Sequence, residues 1–206
     1  MSVKTIKKRS VVDRTERVIK NCLMDWFNAC PELHDQGLEW YKEAYEFTHR
    51  IAKKYGIDAY TVAVVLSFLS PNNKWERNKI DCEEVIIAYL LGKSPDDVKV
   101  CTYTANKIKA FKAMEGLDIE ESAPKTYAFA MNIAYMSPDH VTIDKWHLRA
   151  CLTKPREGVV DCVESCTKAQ YKRIEKLTDK LAKKLGVTGY ELQAIIWVSI
   201  KHKWNR

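Results

Sequence analysis

Between Asp58 and Pro71 the chain reads AYTVAVVLSFLS, a stretch apolar on nearly every side. Whatever its conformation, it has no polar face to turn to water, so the rest of the chain must enclose it. Its length, from Ala59 to Ser70, favours a helix over a buried strand, and Asp58 is placed to cap it. The 206 residues are enough to build that enclosure, as one domain or two interleaved lobes. Only 7 Gly and 6 Pro are available to make tight turns, which disfavours a many-stranded sandwich or barrel.

The remaining segments carry helical spacing. Val11 to Asn28 repeats Val12, Val18, Ile19, Cys22, Leu23, Trp26 and Phe27 on one stripe. Pro31 and Gly37 mark a break, and Leu38 to Lys54 follows, stopped by Tyr55-Gly56. Trp75 to Leu91, Thr104 to Glu115, Pro124 to Met136 and Asp144 to Leu152 read as further helices. Pro155 to Cys166 reads as irregular. Thr167 can cap Lys168 to Leu185, whose Tyr171, Ile174, Leu177, Leu181 and Leu185 form an apolar stripe opposite a Lys-rich face. Gly186 and Gly189 break the pattern before a last buried helix, Tyr190 to Trp204. With about nine helices, no internal repeat and no hairpin signal, the expected fold class is all-α.

Charge is unevenly spread. The net is +7, but residues 1–20 carry seven Lys/Arg against two acids, and residues 167–206 ten against three, leaving the middle at −5. If the two ends fold together they make a basic lobe, which suits a polyanion such as nucleic acid; solvated Lys-rich helices give the same count. The seven cysteines have no CxxC spacing. Free thiols in a reducing cytoplasm are the expectation, with zinc or an iron–sulfur cluster as the alternative reading of Cys162 and Cys166. No apolar run reaches membrane-spanning length and no secretory leader opens the chain, so a cytoplasmic protein is expected.

Glu121 to Cys151 holds two ionisable groups at helix starts. Lys125 follows Pro124, and Asp144 opens the next helix 19 residues later. Between them lie Tyr127 to Met136 and the turn Ser137-Pro138-Asp139.

Four segments, in order, resemble the helix–hairpin–helix (endonuclease III-like) DNA glycosylase superfamily. VAVVLSFLSPNNKWERN resembles the family helix that ends in a duplex-wedging loop. Tyr103 to Ala113, with Asn106, Lys109 and Ala110, resembles the helix before the hairpin. Ser122 to Asn132, with Lys125-Thr126, resembles the hairpin motif. Val141-Thr142-Ile143-Asp144, with His147 and Arg149, resembles the segment carrying the catalytic Asp. A set of phage proteins with a Gly-Pro-Lys-Thr and Ile-Asp-x-x-His pattern is also similar. The match spans about residues 58–152. It departs from the family in lacking the hairpin glycines, with Ala123 at one such position, and the four-Cys iron–sulfur motif. One residue is inserted between Asp144 and His147, and Asn72 or Asn73 would replace the wedge-loop Gln.

The resemblance implies a two-lobed helix–hairpin–helix glycosylase-like fold. Residues 1–57 would join a second lobe, 58–140 would form a helical barrel core with the degenerate hairpin, and 141–206 would carry the catalytic Asp and complete the second lobe. It further implies a monomer acting on double-stranded DNA, in the host cytoplasm if phage-encoded, with no cofactor and no membrane partner. Base excision requires a carboxylate near C1′, and Asp144 is the candidate; it would equally serve as an N-cap, and the two roles are compatible. Lys125 could attack C1′ if neutral, forming a Schiff base, or simply meet a phosphate or water. Flipping the base suits Asn72, Asn73 and Trp75 as gap-fillers, although a polar turn and a core Trp fit the same residues. Lys74, Arg77, Lys107, Lys109 and Thr126 are candidate DNA contacts. His147, Trp146 and Gln193 are candidates for the base pocket, with core packing as the other reading of His147 and Gln193. Two other functions fit this scaffold: a transferase acting on an activated 5-substituted pyrimidine in phage thymine hypermodification, and a non-catalytic DNA-binding protein.

Overall fold

The computed structural model describes residues 14–119, 123–157 and 165–204. All regular structure among them is helical: α1 (Glu16–Phe27), α2 (His34–Tyr55), α3 (Ala59–Leu69), α4 (Trp75–Leu90), α5 (Thr104–Met114), α6 (Pro124–Tyr135), α7 (Lys145–Ala150), α8 (Lys168–Leu185) and α9 (Gly189–Trp204), with short 3-10 turns between some of them. The all-α class expected from the periodicity is what the chain adopts. Val11–Asp13, Glu121–Ser122 and Cys162, invoked above for the first helix, the hairpin and a thiol pair, lie outside the described residues.

Local chemistry sets the helix ends. The Asp58 carboxylate accepts from the Thr61 amide at 3.1 Å and opens α3. Thr167 and Gln170 form a reciprocal capping box at the start of α8, and Gly186, at φ 75°, closes it in the left-handed region. Four boundaries differ from the sequence expectation. The first helix begins at Glu16, because Thr15 is extended and caps it. The helix starting at Asp144 is only Lys145–Ala150, with Asp144 itself as the cap. Gly37 does not break the chain but lies inside α2, which starts at His34, and Gly189 is the first residue of α9.

Contacts divide the chain into two compact units: residues 1–41 with 138–206, and residues 42–137. The inner unit is built on α3. Every residue from Val62 to Leu69 is buried, and α4, α5 and α6 pack against it. Each fully buried Val, Leu or Phe of this run contributes on the order of 2 kcal/mol, which explains why the most apolar segment takes the most enclosed place. The discontinuous unit gathers α1, α7, α8 and α9 around Ile19, Leu23, Trp26, Leu148, Ile174 and Ile196. Trp26 donates its indole N–H to the Thr153 carbonyl at 2.8 Å, tying α1 to the turn after α7. Cys22, Cys30, Cys82 and Cys151 are buried free thiols, Cys166 is half-buried and Cys101 exposed. Among the described residues no helix is long and apolar enough to cross a membrane.

Gly37 is required by close approach rather than by its backbone angles. A Cβ there would lie 2.5 Å from the Ile195 Cα in α9. Gly37→Ala gains about 1 kcal/mol of helix propensity, but the overlap with backbone costs more, up to about 3 kcal/mol. The expected outcome is a lower thermal midpoint by circular dichroism; an unchanged or higher midpoint contradicts the close packing of α2 on α9.

Candidate active site around Asp144

The segment before α7 is held in place by α8. Val141, Thr142 and Ile143 are all buried. Tyr171 of α8 donates its hydroxyl to the Val141 carbonyl at 2.6 Å and accepts from the Ile143 amide at 3.2 Å. Glu175, one turn on, accepts from the Val141 amide at 3.1 Å. Thus three peptide groups of this segment are fixed by two α8 side chains, the Asp144 amide turns back onto the Thr142 carbonyl at 3.2 Å, and the chain enters α7 in a set direction. Asp144 sits at that corner, half-buried, with Oδ1 accepting from the His147 amide at 2.8 Å. Its capping role is therefore realised, and the hydrogen bond fixes the carboxylate's orientation.

Around Asp144 the discontinuous unit collects aromatic and cationic side chains. Trp146 is half-buried and has three cations against its ring: Lys201 Nζ at 4.3 Å from the centroid, Arg149 Cζ at 4.7 Å and Lys145 Nζ at 5.7 Å. Lys201 also lies 5.6 Å from the Trp197 ring, and Trp197 packs on Trp40 at 5.9 Å. Burial pushes the Lys201 ammonium below its ordinary value, and Lys145 and Arg149 push the same way against the opposing charge of Asp144. On the other side, Tyr41 donates its hydroxyl to Gln193 Oε1 at 2.9 Å. Burial raises the Tyr41 phenol well above its usual range; a hydrogen bond with Thr142 opposes this and the Asp144 charge adds to it.

Of the expected site residues, Asp144, Trp146 and Gln193 therefore share one neighbourhood. Gln193 is buried and takes a hydrogen bond from Tyr41, so it is a satisfied internal polar group. His147 faces the core: it is 1% exposed and its Nε2 lies 2.9 Å from Thr178 Oγ1 in α8. Lys201, Trp197, Trp40 and Tyr41 had not been singled out in the sequence. The available signal was the i, i+4 spacing of Trp197 and Lys201, which puts both on one face of α9.

The other expected residues lie in the inner unit. Lys125 is exposed at the second position of α6, after Pro124, and Thr126 follows half-buried. Ala123, before them, has φ −113° and needs no glycine. In the loop between α3 and α4, Asn72 is exposed at φ 58°, a left-handed value that Asn tolerates, and its side-chain amide donates to the Tyr103 hydroxyl. Asn73 donates to the buried Asp81 at 2.8 Å, and Arg77 pairs with the same carboxylate at 2.6 Å. Asp81 further accepts from the Cys101 amide at 2.8 Å. Asn73 and Arg77 thus hold the loops after α3 and before α5 together around one buried anion. Lys74 is exposed; Trp75 is half-buried, its ring edge-on to Phe47 and Phe129. Lys107 donates to the Val98 carbonyl at 2.9 Å, and Lys109 is exposed, with its ammonium 5.9 Å from the Phe68 ring. Among the described residues no three His, Cys, Asp or Glu side chains are grouped to hold a metal.

His147 makes a measurable contribution through its protonation. Burial lowers its imidazole from near 6.5 to about 3, so the folded protein holds it neutral while the unfolded chain takes up a proton below about pH 6.5. The stability it supports is present above that pH and is lost as pH falls toward about 3. Between those limits, the wild type should lose up to about 1.4 kcal/mol per pH unit more than His147→Gln. Denaturant titrations at stepped pH measure this; parallel pH dependences would contradict the buried neutral imidazole.

No curated protein and no solved structure matches the chain. A family profile described as a family of unknown function, DUF7178, matches residues 4–204. That span takes in every described element, the Asp144 corner included, and the chain therefore belongs to the DUF7178 family.

Proposed function

We propose that the protein is a DNA glycosylase that flips a damaged or modified base out of double-stranded DNA and severs its glycosidic bond, acting as a monomer, with Asp144 as the catalytic carboxylate. One observation carries the reading: a half-buried carboxylate, oriented by the His147 amide on a segment clamped onto α8, acts through its charge on Lys201, whose ammonium lies on the half-buried indole of Trp146. Loss of a base develops positive charge on the sugar at C1′, and a preoriented carboxylate in a partly dehydrated corner stabilises that charge more than water does.

Two further observations support it. The four segments that resemble the helix–hairpin–helix glycosylases occur in that family's order. The chain also forms a helical unit of residues 42–137 inserted into a unit made from both chain ends, consistent with the two-lobed layout that the resemblance implies. In this reading the exposed Lys125 meets a backbone phosphate, or attacks C1′ if the enzyme is also a lyase. The chain's departure at Ala123, with its ordinary negative φ, favours a second reading on the same scaffold: a transferase that binds a flipped, activated 5-substituted pyrimidine and leaves its glycosidic bond intact.

Incubation with duplexes bearing uracil, oxidised, alkylated or hydroxymethylated bases, followed by hot alkali, should give strand breaks at one class of base. Asp144→Asn should slow release about a hundredfold or more while leaving duplex binding in place. Borohydride trapping that depends on Lys125 would assign lyase chemistry. No base release from any substrate, or full activity in Asp144→Asn, contradicts the proposal.

A further inference from the structure

Lys145, Arg149 and Lys201 come from two helices, α7 and α9, yet all three cationic groups lie within 6 Å of the centre of one indole ring. Like charges gathered this closely repel one another. An aromatic face attracts a cation but does not neutralise it. Burial disfavours the Lys201 cation, Asp144 favours it, and Lys145 and Arg149 oppose it. The groups are also unequal in access: Arg149 is 6% exposed, Lys201 is half-buried between the rings of Trp146 and Trp197, and Lys145 is exposed. A lysine confined between two indoles has already lost much of the rotamer freedom that a surface lysine surrenders on binding.

We infer that Lys145 and Lys201, seated on Trp146 with Arg149 behind them, form a binding site for a phosphate group. A phosphate group accepts charge-assisted hydrogen bonds from both ammonium groups and offsets the repulsion between these two like charges. The phosphate has two sources, the backbone of a nucleic acid or a free phosphate such as the one carried by a nucleotide. The site stands whether or not the protein breaks a glycosidic bond, since it draws only on the cations around Trp146.

The test uses the full chain and two probes, inorganic pyrophosphate followed by tryptophan fluorescence and a short labelled duplex followed by anisotropy. Lys201→Met keeps the aliphatic stem against the rings and removes the charge; it should weaken binding of at least one probe about tenfold, with an unchanged circular dichroism spectrum. Lys145→Gln, at an exposed position that does not threaten folding, should weaken the same probe in the same direction. Loss in the duplex arm, with a shallower salt dependence by about one counterion per lost contact, assigns the site to a nucleic-acid backbone. Loss confined to the pyrophosphate arm assigns it to a free phosphate. Failure of both probes to bind the wild type overturns the inference. So does wild-type binding of both probes by Lys145→Gln together with any folded Lys201→Met.

Discussion

The hydroxyl of Tyr171 is the interaction on which the discontinuous unit's candidate site depends. By donating to the Val141 carbonyl and accepting from the Ile143 amide, it holds the segment before α7 against α8. Without that clamp the Val141 carbonyl and the Ile143 amide would be left unsatisfied in a buried segment, at a cost of about 1–3 kcal/mol for each. With it, the chain reaches Asp144 in a fixed direction and turns into α7. The cap, the ring of Trp146 and the cations around it all follow from where that turn occurs. Tyr171 is itself buried, and burial raises its phenol well above the usual range, so it remains a neutral hydroxyl able both to donate and to accept.

Much of the fold was legible because the rules that set helix ends are local. Asp58, Thr167 and Gly186 act where their side chains or their backbone freedom say they should. The apolar run after Asp58 is enclosed for the reason its composition gives. What was not legible depends on distant partners. Gly37 looks like a helix breaker until Ile195 is known to lie against it, and then the missing side chain is what lets α2 continue. The division between the two units falls between Tyr41 and Lys42, inside a continuous helix, where neither Pro, Gly nor a change of composition marks it.

The candidate site divides in the same way. Asp144 was recognisable from its segment, and the structure gives it a cap bond and a nearby cation, Lys201. Asn73 and Arg77 read as solvent-facing DNA contacts in the sequence. Asp81, buried four residues beyond Arg77 on α4, binds both, and nothing local distinguishes that carboxylate from its more exposed acidic neighbours. Lys201 was passed over as one of several lysines near the C-terminus. Its distinction lies in the two indoles it meets, one on its own helix and one 55 positions earlier in the chain.

The proposed chemistry turns on whether Asp144 recognises positive charge at a sugar position in DNA. Binding of two duplexes that differ at one abasic position tests this most directly: one carries a cationic pyrrolidine ring, the other a neutral tetrahydrofuran. The account predicts that the wild type binds the cationic ring more tightly by about a hundredfold, and that Asp144→Asn binds both alike. Equal affinity of the wild type for the two rings, or a preference that survives in Asp144→Asn, would contradict it.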